Sequence, residues 1–215
     1  MALSKVDYNS LNVTAAASKA LKWNSGANGF ETGDVAGALV LLTTATASSS
    51  AALTFDSDID DTYSEYIFRL YDIHPSADGA QLTVNFRDGS TNYDATKTTT
   101  YIFAYHEEDD ASTSLGYNTS YDLAQSTAAQ PLTHNLDNDN DASLSGYMHL
   151  FDPSSTTFVK HFMSRVSLMG HGDPRFSAER SAAGYCNVTA AIDGVQFAMS
   201  SGNIDSGVIK MYGVT

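Results

Sequence analysis

Apolar and polar residues alternate one for one along most of this chain, a period of two that suits extended strands and conflicts with the 3.6-residue repeat of a helix. In 65–73, Tyr66, Phe68 and Leu70 alternate with Ile67, Arg69 and Tyr71, giving a strand with one strongly apolar face. In 81–86, Leu82, Val84 and Phe86 oppose Thr83 and Asn85, as a half-buried strand requires. In 98–105, Tyr101, Phe103 and Tyr105 oppose Thr100, Ile102 and Ala104, and the β-branched and aromatic content favours a strand again. Segment 194–199 alternates through Val195, Phe197 and Met199, and 208–212 closes the series. Segments 145–151 and 157–163 are apolar on both faces, and weaker strands are expected at 37–43, 51–55, 165–169 and 184–188. About ten short strands separated by turns are the density of a sandwich or barrel. Asp78-Gly79, Asp88-Gly89, Asp193-Gly194 and Ser201-Gly202-Asn203 supply residues that tolerate positive φ. Pro75, Pro153 and Pro174 fall at expected strand ends.

The 215 residues, 42% of them hydrophobic, suffice for one sizeable core. The expectation is an all-β antiparallel β-sandwich of jelly-roll type over 35–215, preceded by a short N-terminal arm or helix over 1–34. Within that arm, Val13, Ala16, Ala20 and Trp23 are spaced as an apolar helical stripe with Leu21 at its edge, and the Gly- and Asn-rich stretch 24–34 reads as a loop. A helix so short is marginal alone, so Val13, Leu21 and Trp23 are candidate assembly contacts with a partner subunit or with the domain itself. A net charge of −14 leaves too little positive charge to neutralise phosphates, which argues against nucleic acid and anionic membranes as partners. No apolar stretch approaches the roughly 18 residues a bilayer span needs, so membrane insertion is not expected. The first residues lack a secretory h-region, which points to folding in a cytoplasm and makes the Asn-X-Ser/Thr matches at Asn12, Asn118 and Asn187 chance ones. The lone cysteine, Cys186, reads as a small buried hydrophobe.

Catalytic signatures are missing: there is no nucleophile elbow, P-loop or dinucleotide fingerprint, so no catalytic residue is assigned and the chain is read as a non-enzyme. His74, His106, His134, His149, His161 and His171 show no zinc-type spacing, and His149 and His161 are placed to share a sheet face. Asp137, Asp139 and Asp141 carry carboxylates at alternate positions, the way loops wrap a hard cation, so calcium is the one cofactor the sequence suggests. Ala142 stands where an EF-hand turn needs Gly and Met148 where it needs Glu, which leaves a looser calcium site or a solvated acidic loop. The loop tyrosines Tyr63, Tyr93, Tyr117 and Tyr121 are candidates for stacking on a glycan or packing at a partner contact. Glu107 and Glu108 would serve a glycosidase only from a loop, because neighbours on a strand point to opposite faces.

Three groups of residues carry a resemblance. They are Ile73-His74-Pro75-Ser76-Ala77-Asp78 with Val84-Asn85-Phe86 and 93–99, then Leu144-Ser145-Gly146-Tyr147 to 151–155, then the ending from Phe197 through Ser201-Gly202-Asn203-Ile204-Asp205-Ser206-Gly207 to Gly213. Together they resemble structural proteins of marine bacteriophage virions, tail-fibre-like or capsid-decoration components, over roughly 36–215. The resemblance implies a place in the virion, assembly with other copies (a trimer favoured, as in fibres) and with other virion proteins, and no catalytic residues. The alternative is a glycan-binding module that recognises a host surface glycan.

Overall fold

The computed structural model describes residues 19–33 and 37–215, and among them every regular element is a strand. No helix of the described residues is long and apolar enough to cross a membrane. The chain divides into two compact units, Met1–Val40 with Thr215, and Leu41–Val214.

In the first unit, β1 (Ala20–Trp23) pairs antiparallel with β2 (Phe30–Gly33). The helix expected up to Trp23 is therefore corrected: its last four residues are a strand, and its earlier part, with Val13, lies outside the described residues. The loop expected over 24–34 shrinks to the hairpin turn, where Ala27 takes a positive φ and Asn24 accepts from the Asn28 amide. Trp23 and Phe30 stack with centroids 4.4 Å apart across the hairpin, a contact a helix through Trp23 would break. Leu21 and Trp23 are both exposed.

The second unit is the β-sandwich. Its large sheet has eight strands in the order β3 (Leu39–Thr46), β14 (Ile204–Val214), β5 (Glu65–Pro75), β10 (Leu144–Phe151), β11 (Lys160–Gly170), β12 (Phe176–Cys186), β7 (Lys97–Glu107) and β8 (Thr113–Tyr117). The small sheet has four, in the order β4 (Ala52–Phe55), β13 (Gly194–Met199), β6 (Leu82–Arg87) and β9 (Gln130–Pro131). Inward-facing residues of the two sheets meet in one core. Phe55 packs edge-on to Phe68 at 5.2 Å, Phe68 lies 5.6 Å from Phe197, and Phe86 lies 4.8 Å from Phe162. These rings come from β4, β5, β13, β6 and β11, so the aromatics that alternated in sequence are the ones that join the sheets.

The segments expected at 157–163 and 165–169 merge into one long strand, β11, because its inward side chains stay buried without a break. Strands β8 and β9 were not foreseen: the first is exposed along most of its length and the second is two residues long. Gly79, Gly89 and Gly202 take positive φ in their turns, whereas Gly194 opens β13 in ordinary extended geometry. Cys186 is free and fully buried.

The closing hairpin shows why its residues are what they are. Gly202 turns the chain at φ +68°, and Asn203 fixes the turn through its N–H to Ser76 Oγ (2.8 Å) and its side-chain amide to Ser49 O (3.0 Å). Ile204 then enters the core, and Gly207 sits at φ +120° in a bulge where β14 slips register against β5. A Cβ on Gly207 would lie 2.7 Å from Asp72 O, so only glycine fits.

Candidate functional site

The eight-stranded sheet is wider than the four-stranded one, and β9 ends the small sheet before β7 and β8 are covered. Segment 118–135 folds back over β7 instead: Thr99 N–H donates to Leu123 O, and Leu123 N–H donates to Thr99 Oγ1. Between this segment and the inner face of β7 and β12 lies a cleft of about 320 Å3. Tyr101, Phe103 and Tyr105 come to it from alternate positions of β7, Phe176 and Arg180 from β12, and Asn118, His134 and Asn135 from the covering segment.

Register explains the arrangement. Arg180 pairs with Phe103, while Ala182 pairs with Tyr101 and Ala178 with Tyr105. Two alanines thus leave room beside the arginine that larger inward residues would fill. The Arg180 guanidinium stands over the Phe103 ring at 5.6 Å from its centroid, and its Nη1 donates to Ala104 O (3.0 Å) and Glu179 O (3.2 Å). The Tyr101 hydroxyl beside it interacts with the guanidinium, but neither that hydroxyl nor Arg180 Nε has a well-aligned hydrogen bond among the described residues. Arg180 is only 3% exposed and Tyr101 not at all. Tyr66, equally buried, makes the contrast plain, because its hydroxyl donates to Asp60 O (3.1 Å) and accepts from Asp60 N–H (3.0 Å).

Electrostatics follow from burial. Desolvation pulls the Arg180 guanidinium below its ordinary value, opposed by the nearby Tyr101 hydroxyl, and pushes Tyr101 above its own. Burial, then the charge of Arg180, lower His134, which keeps that imidazole neutral at pH 7. Glu179 points to the other face of the sheet and binds Arg165 through two bonds of 2.8 and 2.7 Å. Glu107 lines the far end of the cleft, four residues along β7 from Phe103, or roughly 13 Å at strand rise.

The loop tyrosines fall in different places. Tyr121 packs on Tyr101 (5.3 Å) and His134 (4.9 Å), so it buttresses this cleft. Tyr117, at the edge strand β8, donates to Asp122 and is half exposed. Tyr63 caps the core against Tyr66 and Gly213, and Tyr93 lies under the Arg87 guanidinium. Among the described residues, no ring contact joins these last two to the cleft.

The acidic loop is also differently engaged. Asp137, almost fully buried, accepts from Arg175 Nε at 2.7 Å, and Asp139 accepts from Arg175 Nη2. Asp141 does not join them; it lines a shallow groove with Asp72, His74 and Asp205. The group whose ligand atoms converge is instead Asp78, Asp137 and His171, within 4.8 Å of one another. The Asp137 oxygen that faces His171 is the one already bonded to Arg175, so a cation there would meet the guanidinium charge. His149 and His161 lie on the outer face of the large sheet, where His149 pairs with Met163 two residues from His161.

Arg180 had no signal strong enough to single it out in sequence. Its strand alternates small residues, Ala178 and Ala182 against Ser177, Glu179 and Ser181, so the period of two carries little hydrophobic contrast. Compared with known proteins, the chain matches no family model, no curated protein and no solved structure.

Proposed function

We propose that this chain is a non-enzymatic structural protein of a bacteriophage particle, an oligomeric tail, fibre or decoration component that works in the virion. The observation that carries the reading is where the resembling segments lie. Ile73 to Pro75, Leu144 to Tyr147 and Ile204 to Gly213 fall on β5, β10 and β14, which are neighbours in the large sheet, and the turns after β5 and β13 bond each other through Ser76 and Asn203. The other resembling segments lie elsewhere: Val84 to Phe86 on β6 and Phe197 to Met199 on β13 pair with each other in the small sheet, so the pattern runs through both sheets.

The outer face of that sheet supports self-association. One row across six strands runs Arg69, Tyr147, Arg165, Ser181, Ile102 and Tyr117, with Met163 exposed in the next row. Large apolar side chains held on a broad sheet face suit a contact between copies of the chain. Native mass spectrometry of the purified protein should give trimers, and Met163→Glu with Ile102→Glu should shift them towards single subunits. Single subunits alone at micromolar concentration would overturn self-assembly through this face.

The cleft favours a second reading, recognition of a host glycan, because four aromatic rings and two amide side chains converge there. A glycan array bound by the native protein and lost on Tyr105→Ala supports it; a blank array removes it.

A further inference from the structure

Arg180 is a buried cation without an anion. Its two hydrogen bonds go to backbone carbonyls, which answer its dipole but not its charge. Among the described residues no carboxylate bonds Arg180: Glu179 is on the opposite face with Arg165, Asp122 accepts from Tyr117, and Glu107 sits four residues along β7 from Phe103, the residue paired with Arg180. Burying a guanidinium this way is costly unless an acceptor arrives. Beside it stands the buried Tyr101 hydroxyl, which interacts with the guanidinium without a well-aligned hydrogen bond, and both residues line an open cleft walled by aromatic rings.

We propose that this cleft binds a small ring-bearing carboxylate. The carboxylate takes the unfilled donors of Arg180 and the Tyr101 hydroxyl, while the ring packs against Phe103, Tyr105 and Phe176. Arginine is suited to the role because its planar fork matches a carboxylate with two parallel bonds. The volume of about 320 Å3 fits one ring and its substituents. Such a carboxylate has two sources, an acidic sugar or an aromatic acid. The inference deepens the second reading above for the first source and stands apart from it for the other.

Calorimetric titration of the full chain with methyl glucuronide, methyl glucoside, benzoate and benzamide separates these cases. At least one acid should bind saturably, at least tenfold tighter than its neutral counterpart. Arg180→Met, which removes a buried charge in favour of an apolar chain of similar length, should abolish that difference. Should this variant misfold, Tyr105→Ala should weaken the acid at least fivefold in its place. Binding of benzoate with methyl glucuronide silent keeps the carboxylate site and removes the glycan reading. Saturable binding of neither acid, or neutral counterparts that bind as well, overturns the inference.

Discussion

Gly207 shows how one residue can hold a register. Its φ of +120° and the 2.7 Å approach a Cβ would make to Asp72 O mean that Gly207→Ala must either strain the backbone or push β14 off β5. The expected cost is roughly 2 kcal/mol, read as a lower urea midpoint, and an unchanged midpoint would show that the bulge relaxes freely. At the acidic loop, Asp137 and Asp139 spend their charge on Arg175, so excess calcium should leave the melting temperature where it was. Arg175→Ala should lower stability, read as a lower urea midpoint, because it leaves the nearly buried Asp137 carboxylate without its guanidinium. The spacing of Asp137, Asp139 and Asp141 was legible in sequence. Their guanidinium partner was not, since Arg175 lies 38 residues from Asp137 and reaches it only through the fold.

Among the elements, the strands legible in sequence were those whose inward side chains are large, such as β5, β6 and β13. Strand β12 was seen only at its end because alanines and an arginine face inward along it. The same strand carries a row that alternation alone would misread: Lys160, Cys186 and Lys97 face one another across β11, β12 and β7, all fully buried. Lys97 Nζ donates to Asn85 Oδ1 (2.8 Å) and Ala95 O (2.9 Å), and burial pulls its ammonium down to about 8. The unfolded chain holds that proton to a higher pH than the folded one, so Lys97 by itself adds stability as pH climbs from about 8 towards 10, by up to roughly 3 kcal/mol, while the raised Cys186 thiol works against it from about pH 9. Above pH 10 the buried tyrosines oppose the gain, because Tyr66 keeps its proton to about 12 when folded and loses it sooner unfolded. Urea titrations at pH 7, 8, 9 and 10 on the native protein and on Lys97→Met isolate this contribution, because Cys186 and the tyrosines act on both alike: the stability of the native protein relative to Lys97→Met should rise between pH 8 and 10. A difference that does not change with pH would contradict the buried ammonium. Burial also pushes the Cys186 thiol up to about 12, so it should resist thiol reagents until the protein unfolds.

At the scale of the molecule, class and core were readable because the aromatic alternation of Phe55, Phe68, Phe86 and Phe197 is the seam between the sheets. The unequal widths of those sheets were not readable, since pairing order is set by contacts far apart in the chain, and the cleft exists only because eight strands overhang four. The overhang lies at β7 and β8, and the outer face of the large sheet mixes Tyr147, Ile102 and Tyr117 with Arg69 and Arg165. The proposal that the chain is a virion component is tested most directly by quantitative mass spectrometry of purified particles. The intact chain should be present in every preparation, at a fixed copy number relative to the major capsid protein and in a multiple of three. Consistent absence of the chain from particles would contradict it.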